Sequence, residues 1–277
     1  MKVVLITGTS TGIGRAAAVL AAKAGYQVVA TMRDTDKAGP LREALPGADI
    51  RRLDVVDPAS VAACVESVIA DYGRLDAVIN NAGAGHLGTI ELEDVDDVRR
   101  VMEVNFFGVV QVSKAVMPHL RASQGRLITV TSVGGVVAQP FNEAYCAAKF
   151  AVEGWMESLA PVAGKLGVTV SVVEPGAVVT EFVSNVRADR DVEAMIAGAG
   201  DYQPVINSYL ARTAEAYDAS TSQTAEECAE AVIRPLTDAE PRFRYQTSDW
   251  AAEFTAVKLA DADGSAVQRL TGSWLNA

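Results

Sequence analysis

A doubly wound parallel α/β sheet is the fold this sequence predicts, and three observations predict it. Short apolar runs recur at residues 3–6, 28–30, 77–79, 127–130 and 168–173, with a more polar candidate at 49–53. These runs are continuous rather than alternating, as expected of strands buried on both faces. Stretches of helical periodicity fill the intervals between them, so strand and helix alternate along the chain.

The first run leads through a glycine-rich turn into a helix over residues 15–24, closed by Gly25. Strands at 28–30 and 49–53 follow. Asp57-Pro58 then reads as an N-cap with a first-turn proline, opening a helix that Gly73 terminates after Tyr72. Beyond the fourth strand, long helices are predicted at about 95–123 and 142–167, on either side of the fifth. The last third is less regular. There Tyr202, Val205, Ile206, Tyr209 and Leu210 fall at helical spacing, as an apolar stripe docked on the core or as part of a substrate flap. No repeat or low-complexity segment divides the chain, so 277 residues are read as one domain. Its parts are a core over 1–182, a flap over about 183–223 and a tail over about 224–277.

Composition removes several function classes. Lys+Arg 24 against Asp+Glu 35 leaves a net charge of −11, and no basic cluster offers a footprint for nucleic acid or an anionic membrane. Cys64, Cys146 and Cys228 are dispersed, and His86 and His119 are the only histidines, so no structural metal site is expected. Such cysteine usage suits a reducing compartment. The first strand follows Met1-Lys2 directly, and no apolar run approaches ~18 residues, so a cytoplasmic protein is expected.

The turn after the first strand reads Thr7-Gly8-Thr9-Ser10-Thr11-Gly12-Ile13-Gly14. Its glycines allow the backbone a sharp turn and close approach to a pyrophosphate, which the following helix N-terminus would bind. Further motifs follow in order. Asp54-Val55 lies after the third strand, Asn80-Asn81-Ala82-Gly83 ends the fourth, and Asn105 sits in Val104-Asn105-Phe106-Phe107-Gly108. Ser132 ends the fifth strand, Tyr145-Cys146-Ala147-Ala148-Lys149 has the form Tyr-x-x-x-Lys, and Pro175-Gly176 with Thr180 closes the set.

This series resembles the short-chain dehydrogenase/reductases over about residues 1–182. Residues 30–34 and 132–146 look most like the hydroxysteroid and retinol dehydrogenase branch. The resemblance implies a catalytic tetrad of Asn105, Ser132, Tyr145 and Lys149. It further implies a dinucleotide held by Gly8, Ser10, Thr11, Gly12, Ile13, Gly14, Asp54, Val55, Asn81, Ala82, Gly83, Pro175, Gly176, Val178 and Thr180, with Tyr145 and Lys149. Tyr145 would be the general acid of carbonyl reduction and the base of alcohol oxidation. Lys149 would hold the nicotinamide ribose, Ser132 the substrate oxygen, and Asn105 a water of the proton relay.

Residue chemistry agrees. Tyr145 and Lys149 share a helix face, and a nearby ammonium brings a phenol of pKa ~10 toward the working range. Met32 stands where an acid would select NAD, and Arg33 after it can grip a 2′-phosphate, with Thr11 a second contact, so NADP(H) is favoured unless Asp34 occupies Arg33. A bulky apolar ketone or alcohol is expected, in a pocket lined by His86, Leu87, Phe141, Val179 and Phe182. The long helices resemble those of the family's dimer interface, so a homodimer or homotetramer is expected. Two alternatives stand beside this reading: a sugar-nucleotide epimerase or dehydratase, and a non-catalytic dinucleotide sensor. The glycine spacing opposes the first and the intact tetrad the second.

Overall fold

The computed structural model of the chain describes residues 1–181, 192–216, 222–260 and 273. In chain order its strands are β1 (Lys2–Thr7), β2 (Tyr26–Met32), β3 (Asp49–Arg52), β4 (Ala77–Asn80), β5 (Arg126–Val130), β6 (Thr169–Glu174), β7 (Val178–Val179), β8 (Gln223–Thr224) and β9 (Arg244–Gln246). Seven form one sheet in the order β3-β2-β1-β4-β5-β6-β9, every neighbouring pair parallel. β1 is an inner strand, with Ile6 level with Ala30 on one side and Ile79 on the other. β7 and β8 pair separately as a short two-stranded ladder.

The continuous apolar runs follow from the two covered faces. Val4 and Ile6 of β1 pack with α1 (Gly12–Lys23) and α2 (Gly39–Ala44), while Val3 and Leu5 pack with α3 (Pro58–Tyr72). Each such aliphatic side chain contributes roughly 1.5–3 kcal/mol on burial. The second face is completed by α4 (Val95–Met102), α5 (Gly108–Ser123) and α6 (Glu143–Lys165). α7 (Val192–Ala197) and α8 (Gln203–Ala216) follow, then α9 (Ala225–Thr237), which packs on α1, and α10 (Asp249–Leu259). No described helix is long and apolar enough to cross a membrane.

Local signals explain the boundaries. Asp57 caps α3 by accepting from the Ala59 amide, and Gly73 ends it in the left-handed region at φ 67°. Two features depart from the sequence reading. The helix expected over 95–123 is broken by a π-helical turn, Glu103–Phe107, between α4 and α5. A seventh strand, β9, also joins the sheet; in Arg244-Tyr245-Gln246 only the tyrosine is buried, so no apolar run announces it. The predicted stripe lies on α8, where Ile206 and Tyr209 are buried in a separate cluster rather than in either main core.

Candidate active site

At the carboxyl ends of β1 and β4, two chain segments lock together. The Asn81 and Ala82 amides both donate to Thr7 Oγ1 at 3.0 Å, and Asn81 Nδ2 donates to the Thr7 and Gly8 carbonyls at 3.0 Å. Thr9 donates from its amide and its hydroxyl to the Thr31 carbonyl, tying the turn to β2. Space is minimal: a Cβ on Gly14 would stand 2.2 Å from the Gly8 oxygen and 2.4 Å from Asn81 Nδ2. Gly8 and Gly12 have φ of 70° and 52°, so the turn needs glycine twice over. The result is a cradle of backbone at the N-terminus of α1, where amide groups and the helix dipole favour an anion. Ser10, Thr11 and Ile13 line it half-buried, and Thr11 caps α1 without a side-chain hydrogen bond. Thr180 closes on the turn, its methyl 3.2 Å from where a Gly12 Cβ would be.

The flanking positions are equally defined. Asp54 accepts from the Val56 amide, and Val55 packs on Gly108 so closely that a Cβ there would meet it at 2.8 Å. Met32 is buried at the end of β2, and Arg33 beyond it is exposed. Asp34 is used otherwise, accepting from the Asp36 amide at 3.0 Å. Among the described residues Arg33 makes no ion pair.

The tetrad residues converge on two glycines. Asn105 sits fully buried in the π-helical turn, its Nδ2 donating to the Val101 and Ala84 carbonyls and its Oδ1 accepting from the Ala84 amide. A Cβ on Gly83 would lie 2.9 Å from Asn105 Oδ1 and 3.6 Å from Lys149 Nζ, so these two side chains meet there. A Cβ on Gly134 would lie 3.3 Å from Ser132 Oγ and 3.5 Å from Tyr145 Cε1. Lys149 Nζ donates to the Val130 carbonyl at 3.2 Å and stands 5.7 Å from the Tyr145 ring centre. Burial pushes the Lys149 ammonium down to about 8, against the opposing pull of Glu153. Lys149 thus brings a buried cation to the side of the Tyr145 ring. Ser132 Oγ accepts from the Gly134 amide, which leaves its proton to give to a substrate oxygen. Neighbouring Cys146 is inert by contrast: burial pushes its thiol up to about 11.

Of the predicted pocket residues, two meet. Phe141, held at φ 57° just before α6, accepts from the Gly88 amide through its carbonyl oxygen and packs on Tyr209 with ring centres 5.4 Å apart. Leu87, Ala199, Ile206 and Tyr209 complete this apolar wall. His86 instead pairs with the buried Glu93 carboxylate and braces its own loop. Val179 is exposed on β7, outside the wall, and Phe182 lies outside the described residues. The pairing of Asn142 with Tyr209, whose oxygen accepts from Asn142 Nδ2 at 2.7 Å, was not predicted, although both residues flank motifs that were.

Comparison with known proteins agrees with this geometry. The short chain dehydrogenase family model matches residues 2–191. Human retinol dehydrogenase 8 is 34% identical over 98% of this chain and 89% of its own length. Human 17-beta-hydroxysteroid dehydrogenase type 1 is 37% identical over 95% of this chain and 82% of its own. A solved short-chain dehydrogenase from Streptomyces avermitilis superposes with a TM-score of 0.77 at 26% identity, covering 98% of this chain and 97% of that one. The chain belongs to the short-chain dehydrogenase family, in its hydroxysteroid and retinol dehydrogenase branch, and is an oxidoreductase of the nicotinamide-dinucleotide-binding fold.

Proposed function

We propose that this protein is an NADP(H)-dependent enzyme that interconverts a bulky apolar ketone, of steroid or retinoid type, and its secondary alcohol. The observation that carries the reading is the convergence of Ser132, Tyr145, Lys149 and Asn105 around Gly83 and Gly134, beside a glycine turn at the N-terminus of α1 where Gly14 leaves no room for a side chain. That cradle fits a dinucleotide, held by the residues of the glycine turn, Asp54, Val55, Asn81, Ala82, Gly83, Pro175, Gly176, Val178 and Thr180. The bound cofactor supplies the hydride.

The chain's own residues handle the proton. In reduction, Tyr145 gives its phenolic proton to the carbonyl oxygen while the Ser132 hydroxyl hydrogen-bonds that oxygen as charge develops on it. Lys149 stabilises the resulting phenolate and holds the ribose. Asn105 positions a water that returns a proton along the Lys149 side. In oxidation the same proton runs backward, with Tyr145 as base.

NADP(H) preference rests on Arg33, exposed and unpaired among the described residues beside the buried Met32, with Thr11, the N-cap of α1, as the second contact. Phe141, Leu87, Ile206 and Tyr209 form the wall against an apolar substrate, which supports a flap role for the described residues 192–216. Phe107, Trp155, Val162 and Leu166 are exposed on or beside α5 and α6 and support a homo-oligomer built on those helices. A reducing, cytoplasmic setting belongs to the same proposal, supported by three buried, free cysteines.

The test is oxidation of NADPH and NADH over a panel of ketones and aldehydes that includes steroids and retinoids, in wild type and Arg33→Ala. The reading predicts turnover of the apolar members with NADPH preferred, and a preference reduced about tenfold or more in the variant, the worth of a charge-assisted phosphate contact. An unchanged preference overturns the cofactor assignment. A best substrate that is small and polar overturns the pocket.

A further inference from the structure

Behind Lys149 the same face of α6 carries another buried charge. Glu153 lies one turn on and is 5% exposed, with its Oε1 lacking a hydrogen-bond partner among the described residues. Its other oxygen accepts from Arg244 Nη2 at 3.3 Å, the guanidinium reaching in from β9. Arg244 is shared: Nη2 also donates to the exposed Glu157 at 2.6 Å, and Nε lies 3.1 Å from Glu174, fully buried at the end of β6. Gln246 Nε2 donates to the remaining Glu174 oxygen at 2.8 Å. The groups facing Glu153 are therefore Lys149 and Glu157 from α6, Thr131 just past β5, Glu174 from β6 and Arg244 from β9.

Pinning β9 to the sheet does not require this third carboxylate. Glu174 and Glu157 already hold Arg244, and a further buried carboxylate costs several kcal/mol in desolvation. Burial pushes Glu153 up from the ordinary carboxylate range, with Thr131 opposing and the Glu174 charge adding to the rise. What Glu153 does that its neighbours do not is lie one helical turn from Lys149 on the same face of α6, with both residues buried.

We propose that Glu153 is a positioning residue: its carboxylate, oriented by Arg244, keeps the buried Lys149 ammonium charged beside Tyr145 and so extends the reaction toward higher pH. The inference rests on the proposed roles of Tyr145 and Lys149. The sign is fixed by electrostatics. An adjacent negative charge favours the ammonium, so its removal lets Lys149 lose its proton at lower pH. A shift of about one pH unit is expected, which at pH 8 takes the charged fraction from about half to about one tenth, a fivefold loss.

The experiment compares wild type, Glu153→Gln, Glu153→Asp and Glu157→Gln in two readouts: NADPH affinity against pH by fluorescence, and kcat/KM for alcohol oxidation against pH. The alkaline limb of both should fall about one unit lower in Glu153→Gln. It should stay within about 0.3 unit of wild type in Glu153→Asp, which keeps the charge, and in Glu157→Gln, which removes a charge one turn further off. If Glu153→Gln does not fold, Glu153→Met, apolar and of similar volume, is read in its place and moves the limb the same way, because it too removes the carboxylate. A superposable limb in Glu153→Gln, an equal shift in Glu153→Asp or Glu157→Gln, or a wild type without an alkaline limb overturns the proposal. Wild-type binding with the expected pH dependence but no turnover of any substrate counts against the enzymatic reading and leaves the role of Glu153 standing.

Discussion

The two sides of the cleft are built by different means. On the glycine-turn side, contacts close onto the backbone itself: the Thr7 hydroxyl and the Asn81 side-chain amide hold the main chain of Thr7, Gly8, Asn81 and Ala82 through hydrogen bonds of 3.0 Å, and Gly14 leaves no room for a methyl group. On the apolar side, the wall is assembled from side chains of three distant segments, with Leu87 in a loop, Phe141 before α6, and Ile206 and Tyr209 on α8. Backbone contacts restrict which residue types fit, down to the last methyl group. Side-chain packing accepts many combinations of similar volume. One region is thereby intolerant of substitution and the other adaptable.

The largest way to break this contrast is at Gly14. A Gly14→Ala methyl must displace the Gly8 carbonyl, so NADPH affinity should fall by roughly a hundredfold or more, close to 3 kcal/mol. Gly39→Ala, where a Cβ meets nothing within 4 Å, should bind as wild type; isothermal titration reads both. Binding by Gly14→Ala within a few-fold of wild type would mean the turn is not the rigid element described.

The sequence carried the rigid side almost completely, because glycines at close approaches and Asn-Asn-Ala-Gly at a strand end leave few residue choices. The two-sided core was equally legible, since parallel strands covered on both faces read as unbroken apolar runs. Three things were not. β9 holds its place through one buried tyrosine and the Arg244 cluster rather than through a run of its own. The π-helical turn that carries Asn105 keeps helical composition and differs only by one widened turn. His86 has the character of a pocket residue, and only the fold brings Glu93 against it.

The apolar side should answer more gently. Ile206→Ala removes a fully buried side chain from the wall, where such truncations cost about 2–5 kcal/mol, so KM for an apolar substrate should rise by about tenfold or more while NADPH affinity holds. Equal loss of both affinities would show that the two sides are one mechanical unit. The smallest effect is expected of Tyr209→Phe, which removes the hydrogen bond from Asn142. About 0.5–1.5 kcal/mol is at stake, a change of a few-fold in KM with kcat preserved, readable in steady-state kinetics.

The central claim is that Tyr145, beside the Lys149 ammonium, moves the proton. Its most direct test is Tyr145→Phe, with NADPH affinity and kcat for the best panel substrate measured on the same preparation. The account predicts a fall in kcat of about 10²–10⁴, the usual worth of a positioned acid or base, with affinity within about twofold of wild type. A variant that retains kcat within tenfold contradicts it, and the proton would then have to come from another group.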